Sequence, residues 1–402
     1  MTTMVRTAED KAQEHRDKIN LNLRKFVAPE FVFGLGAREL AGRYAQRFEA
    51  RKIMIVTDPG VIAAGWTADV IESMQATGIP HVIFSNVTPN PRDHEVMLGA
   101  ELYQQEGCNA LIAVGGGSAL DCAKGIGIVS SNHRHILTFE GVDQVGAPMP
   151  PLICIPTTGG TSADVSQFAI INNTQARVKI AIISKSVVPD IALIDPVTLT
   201  TMDPLLTAYT GVDALVHAIE AFVSVGNSPM TDIHALEAIR LITRNLPDSV
   251  HNPQDIELRG QIMLGSLEAG LAFSNASLGG VHAMAHSLGG LKDLPHGECN
   301  ALLLPHVMAF NFENSPERYL RIGEAMGLDW RGMTLKQKKT ALLNEITHLE
   351  EAVGIRGTLA QRGVNRADVK PLAANAIKDP CIATNPRKPN VRDIEVIYEE
   401  AL

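Results

Sequence analysis

The first two hundred residues alternate short apolar runs with stretches of helical periodicity. Lys52–Thr57 (KIMIVT), His81–Phe84 (HVIF), Ala110–Val114 (ALIAV), Leu152–Ile155 (LICI) and Ile191–Ile194 (IALI) read as strands. Val61–Thr77, Asp93–Gln105 and Ala119–Ser130 read as the helices between them. The strand segments are uninterrupted apolar runs rather than alternating ones, as expected when both faces are covered. Strand–helix repetition with Gly, Pro and Asp punctuation predicts an α/β unit with a doubly wound, mainly parallel sheet. Ser166–Asn172 and Val178–Ser184 bracket a turn and predict a hairpin. From about Leu205 the pattern becomes helical, as in LLTAYTGVDALVHAIEAFVS, HALEAIRLITRNL and ELRGQIMLGSLEAGLAF. A boundary near Met202–Pro204 therefore separates an α/β domain over 26–204 from an all-α domain over 205–402. Residues 1–25 read as an appended amphipathic helix, lying on the surface or in an oligomer contact.

Composition narrows the function classes. Hydrophobic residues make up 45% of the 402 and charged residues 20%, below the usual ~25%, so the chain can bury a large core. A net charge of −9 argues against a general nucleic-acid binder, which would show a basic face. No run reaches the ~18 apolar residues of a membrane span. The charged start, MTTMVRTAEDKAQEHRDK, has no apolar signal core. Cys108, Cys122, Cys154, Cys299 and Cys381 are scattered without a CxxC, which reads as reduced thiols in a cytoplasmic protein.

Two groups of residues carry candidate chemistry. The first is at strand ends. ALIAVGGGSALDCAKGIGI places three glycines and a serine between a strand and a helix, where backbone N–H groups and the helix dipole can hold a pyrophosphate. The motif is neither GxGxxG nor a Walker loop, and a plain tight turn is the alternative. Asp121 suits a capping box for the helix that follows. Asp58 ends another strand, where a carboxylate can accept from an adenosine ribose and would repel a 2′-phosphate, favouring NAD over NADP; a turn or helix cap would also explain it. PTTGGTS at 156–162 adds hydroxyls at a third strand end. The second group is imidazole. Of 13 histidines, seven fall within residues 217–306, where roughly three are expected by chance. Asp213 and His217 are spaced i, i+4 on one helix face, which Glu220 continues. His282 and His286 repeat the spacing, and His296 follows in DLPHGE, a loop by pattern. A carboxylate with several imidazoles suits a divalent transition metal, although spacing leaves open which of the three later histidines coordinates.

Taken together, GGGSALDCAK, PTTGGTS, VPDIALIDP, TGVDALVHAIEAFVS, GGVHAMAHSLGG and LPHGECNALLLPHVMAFN resemble the iron-containing (group III) alcohol dehydrogenases, nearest the lactaldehyde/propanediol oxidoreductase branch. The resemblance runs from about Phe26 to Leu402. It implies a dinucleotide-binding domain over 26–204, a helical metal-binding domain over 205–402 and an active site between them. It assigns the metal to Asp213, His217, His282 and His296, with Fe(II) or Zn(II) as the ion. His286 is then the proton-relaying catalytic residue beside the nicotinamide. The NAD(H) site takes Asp58, Asn90, Gly115, Gly116, Gly117, Ser118, Asp121, Thr157, Thr158, Thr161 and Lys179. Phe273 and Cys381 fall in the substrate pocket, and Phe168 on its altered wall. Ser162-Ala163-Asp164 departs from the family's usual Glu at that segment, and residues 1–20 are an uncommon extension. The implied activity is reversible interconversion of short-chain primary alcohols or diols and aldehydes by hydride exchange with NAD, in a cytoplasmic homodimer or larger homo-oligomer. A glycerol dehydrogenase-like enzyme and a non-catalytic NAD- and metal-binding sensor are the rival readings.

Overall fold

The computed structural model describes residues 23–402. The helix expected over residues 1–25 lies outside the described residues except for 23–25, which are irregular. Six parallel strands form the main sheet: β1 (Glu30–Phe33), β2 (Ile53–Val56), β3 (His81–Phe84), β4 (Ala110–Gly115), β6 (Leu152–Pro156) and β9 (Ile191–Ile194). Their order is β1-β9-β6-β4-β2-β3. Every residue of β2, β4, β6 and β9 is buried, which is why these four read as continuous apolar runs. The sequence pattern passed over β1. It is a four-residue edge strand with one covered position, Val32, and so carries little apolar signal.

The helices of this part are α1 (Ala41–Arg47), α2 (Pro59–Ala63), α3 (Trp66–Gln75), α4 (Asp93–Gln105) and α5 (Gly117–Asn132). The single helix expected over Val61–Thr77 is therefore two. Gly65 adopts a left-handed φ of 92° between them, a conformation open to glycine at little cost. Val61, Val70 and Met74 pack under one sheet face with Ile53, Ile55 and Ile112. Val96, Ala100, Leu120 and Ile126 pack on the other with Met54, Val56 and Leu111. The chain thus changes faces between β2 and β4, and this switch point opens a crevice at the strands' carboxyl ends.

The expected hairpin is present, with β7 (Phe168–Asn173) antiparallel to β8 (Val178–Ile183). With β5 (Gly141–Val142) it forms a separate three-stranded sheet. The rest is helical: α6 (Pro204–Val223), α7 (Pro229–His251), α8 (Ile256–Ala276), α9 (Gly280–Lys292), α10 (His296–Asn311), α11 (Pro316–Ala325), α12 (Leu335–Ala352), α13 (Arg366–Ala376) and α14 (Val391–Ala401). Asp203 caps α6 by accepting from Leu206 N–H, with Pro204 in the first turn, a sharp start. The inner helix α6 is buried continuously from Gly211 to Val223. Among the described residues, no helix is long and apolar enough to cross a membrane.

Candidate active site

A cavity of about 510 Å³ lies between the carboxyl ends of the strands and the helical part. One end is built by the glycine loop. Helix α5 begins at Gly117, and the residue ahead of it, Gly116, supplies no side-chain cap. Asp121 is therefore not a capping-box residue. It sits in the second turn, where its Oδ2 accepts from Ile170 N–H at 3.2 Å. The loop runs close under Thr161: a Cβ at Gly117 would lie 2.8 Å from its Cγ2. Gly116, Gly117, Ser118, Asp121, Thr158, Thr161, Asn90 and Lys179 all line the cavity. Two of these leave buried oxygens with no partner, Asp121 Oδ1 and Thr158 Oγ1. An uncapped helix N-terminus beside unpartnered polar atoms is a site that a phosphate-bearing, hydrogen-bonding ligand would complete.

Asp58, Gly115 and Thr157 stand just behind this wall. Asp58 caps α2 through Val61 N–H, and its other oxygen points at Gly115, 3.4 Å from where a Cβ would be. Thr157 N–H donates to Gly115 C=O. Lys179 Nζ donates to Asn90 Oδ1 at 2.7 Å, and Asn90 Nδ2 donates to Asp293 Oδ1 at 3.0 Å, so the cleft is bridged from the hairpin to the end of α9. Burial lowers the Lys179 ammonium below its ordinary range.

The other end is built by three helices. Asp213 and His217 come from α6, His282 from α9 and His296 from α10, where it is the first helical residue rather than part of a loop. The Nε2 atoms of His217, His282 and His296 lie 4.0, 3.8 and 3.8 Å from Asp213 Oδ1. Asp213, His217 and His282 also hold ligand atoms within 4.8 Å of one another. Ligands about 2.1 Å from a tetrahedral ion stand about 3.4 Å apart; each imidazole lies close to that spacing from Asp213, while His296 stands outside the mutually close trio of Asp213, His217 and His282. Burial pushes His217 below its ordinary range and His282 and His296 well below theirs, which keeps the imidazole lone pairs free. Asn300 Nδ2 donates to Asp213 Oδ1 at 2.6 Å and lies 3.2 and 3.3 Å from Nε2 of His282 and His296. One carboxylate and three neutral imidazoles thus converge with a single amide among them, a donor set that suits Fe(II) or Zn(II).

His286 is one turn further along α9, and its Nδ1 is 2.8 Å from Asp379 Oδ2. Burial raises the Asp379 carboxyl, but His286 and the Cys381 N–H outweigh it and hold the group below the usual range. Phe273 stacks on His217 with centroids 4.3 Å apart, and Phe168 meets Phe273 edge-on at 5.5 Å. Both rings line the cavity together with Leu278. Cys381 departs from its expected place. It is fully buried beside Asp379, its thiol is pushed well above the usual range by burial, and it does not line the cleft.

Residues 28–196 match the family model for iron-containing alcohol dehydrogenase, and residues 207–402 match the Fe-containing alcohol dehydrogenase family, C-terminal. The chain belongs to the iron-containing alcohol dehydrogenase family. It is 38% identical over 371 residues to the 1,3-propanediol dehydrogenase of Citrobacter freundii, covering 92% of this chain and 96% of that one. It is likewise 38% identical over 371 residues to the lactaldehyde reductase of Escherichia coli K12, covering 92% and 97%. A solved 1,3-propanediol oxidoreductase superposes with a TM-score of 0.91 at 37% identity, covering 95% of this chain and all of that one. An alcohol dehydrogenase from Oenococcus oeni gives 0.91 at 36%, covering 94% and 100%.

In this family member three side chains at the site were not singled out by sequence reasoning for what they do. Asn300 follows His296 by four residues, a spacing that helical periodicity could have exposed. Glu220 was placed on the right face, but its partners on α9 are 59 to 62 residues away. Asp379 lies 93 residues from His286, and no local pattern marks it.

Proposed function

We propose that this iron-containing alcohol dehydrogenase interconverts short-chain primary alcohols or diols and their aldehydes, with NAD(H) as the hydride carrier and one divalent metal, Fe(II) or Zn(II). The observation that carries the reading is the convergence of Asp213, His217, His282 and His296 at one end of a cavity whose other end is an uncapped glycine loop. A metal bound there would polarise the substrate oxygen, and the nicotinamide would take up or return the hydride.

The chain's own residues supply position and proton handling. His217 Nδ1 donates to Gly160 C=O at 3.2 Å, leaving Nε2 as the ligating atom. Asn300 orients Asp213. Gly116–Ser118 and Thr158 would hold the pyrophosphate of the cofactor, and Lys179 with Asn90 would hold a ribose. His286 keeps its proton on Nδ1 against Asp379, so Nε2 is the atom that exchanges a proton with the cleft. Phe168, Phe273 and Leu278 give the cavity an apolar wall that suits a short chain.

The relatives' names, 1,3-propanediol dehydrogenase, lactaldehyde reductase and NAD-dependent methanol dehydrogenase, support small alcohols and aldehydes as substrates. Five cysteines without disulfide partners support a reducing, cytoplasmic setting. Exposed Phe31 and Phe33 on the edge strand β1, with Leu35 just beyond it, support a second copy as partner. The deciding experiment combines metal analysis of anaerobically purified protein with an NADH-absorbance screen over short alcohols and aldehydes. Wild type should carry about one ion per chain and turn over short primary alcohols or diols, and Asp213→Ala should lose both. Stoichiometric metal in Asp213→Ala would exclude this ligand set.

A further inference from the structure

Helix α9 carries a proposed metal ligand in its first turn, yet it has no cap of its own. The residue ahead of it is Gly279, which supplies no side chain. The N–H groups at a helix start need acceptors when buried, and here those of residues 279–282 are met from other parts of the chain. Glu220, buried on α6, accepts from Gly279 N–H at 3.0 Å, from Val281 N–H at 2.7 Å and from His282 N–H at 3.4 Å. Asn385 Oδ1 accepts from Gly280 N–H at 2.9 Å. The same Glu220 oxygen that meets Gly279 lies 2.7 Å from His282 Nδ1.

This arrangement constrains the imidazole. With both of its oxygens already accepting from backbone N–H groups, Glu220 meets His282 as an acceptor, which places the imidazole proton on Nδ1. Nε2 then carries no proton and faces Asp213 Oδ1, 3.8 Å away, with Asn300 Nδ2 at 3.2 Å. We infer that Glu220 is a positioning residue: by holding the start of α9 and the His282 Nδ1 proton together, it sets the tautomer and direction of the ligating Nε2 and so the metal affinity of the site. The inference rests on the proposed metal reading of Asp213, His217, His282 and His296.

An amide cannot replace the carboxylate. Its single oxygen can face either Val281 N–H or His282 Nδ1, and its NH₂ then opposes a donor or forces the imidazole into the tautomer whose Nε2 is blocked. Gly279 is part of the device as well. A Cβ there would stand 2.9 Å from both Glu220 Oε1 and Asn385 Oδ1, so any larger residue pushes the clamp away from the helix.

The test measures Zn(II) affinity by competition with a chromophoric chelator, on stripped wild type, Glu220→Gln, Gly279→Ala and Asp213→Ala. Circular dichroism and the metal-free thermal midpoint control for folding. Glu220→Gln should bind Zn(II) about 10–100-fold more weakly while the metal-free protein stays folded, and Gly279→Ala should shift in the same direction without altering any ligand. Affinity of Glu220→Gln within about twofold of wild type, alongside loss in Asp213→Ala, overturns the inference and leaves the ligand set standing. Retained affinity in Asp213→Ala overturns the ligand set and the inference with it. Should the Glu220 variant fail to fold, ¹⁵N-histidine spectra of metal-free wild type decide, with His282 assigned by its absence in His282→Gln. Protonation at Nδ1 upholds the inference, and protonation at Nε2 refutes it.

Discussion

Replacing Asp121 by asparagine should change how the stability of the α/β part depends on pH. Asp121 is buried in the second turn of α5, with one oxygen on Ile170 N–H and the other unpartnered. Burial raises its carboxyl from an ordinary 3.8 to about 6, against the opposing pull of Lys124 and the Ile170 N–H. Below pH 3.8 the folded and unfolded chains both hold the proton. As pH rises from 3.8 to 6 the unfolded chain releases it and the folded chain retains it, so stability falls. Above 6 the loss is complete and constant. A shift of about two units corresponds to about 3 kcal/mol. Asparagine has the shape of the neutral acid and no such titration. Wild type and Asp121→Asn should therefore match near pH 4 and diverge by up to about 3 kcal/mol by pH 7, the variant being more stable. Equilibrium urea unfolding from pH 4 to 8, in a Trp330→Phe background so that Trp66 reports the α/β part, measures the difference. Parallel stability curves over this range would show that Asp121 is solvated or paired in the folded chain, and the reasoning from its unpartnered oxygen would fall.

Further outcomes follow from the same geometry. His286→Ala should lower turnover about 100-fold or more with metal content unchanged, and Asp379→Asn should fall between it and wild type; full turnover in both variants would remove His286 from proton transfer. Ser277, the residue after α8, holds φ 64° and ψ −177°, a region costly for any side chain. Ser277→Gly should stabilise the protein by about 1 kcal/mol once glycine's extra unfolded-state freedom is subtracted, and a lowered thermal midpoint would show that this backbone is unstrained.

The sequence carried some of the site and withheld the rest for identifiable reasons. Asp213 and His217 were readable as a pair because four residues make about one helical turn, and α6 is long and continuous. The same rule pairs His282 with His286 on one face, but the structure turns the two side chains apart. The two rings lie edge-to-face with centroids 6.0 Å apart, and Asp379 draws His286 Nδ1 away. His296 instead arrives from the start of the next helix, 3.8 Å from Asp213. Local spacing settles which side chains share a face, not which of them meets a third element. The resemblance to the family, not the spacing, is what names His296 rather than His286 as a ligand. It also placed Cys381 in the pocket, whereas packing behind Asp379 buries it fully.

By itself the sequence determined the main architecture, a parallel sheet with helices followed by an all-helical part. Runs buried on both faces became the central strands, helical periodicity became the second half, and the Asp–Pro turn near residue 203 marked the change. It also determined the inventory of ligand types, since no packing can supply an imidazole that is absent. Tertiary structure alone decided which oxygen or nitrogen of each residue faces the cleft. Glu220 reaches across from α6 to cap α9 and meet His282 Nδ1, Asn300 Nδ2 reaches Asp213, His282 and His296, and Asp379 meets His286 Nδ1. Most of these contacts join residues far apart in sequence, 62 positions for Glu220 with His282, 87 for Asn300 with Asp213 and 93 for His286 with Asp379. Hydrogen-bond direction and proton position depend on distances of about 3 Å between atoms of different elements, and those distances exist only after the helices pack.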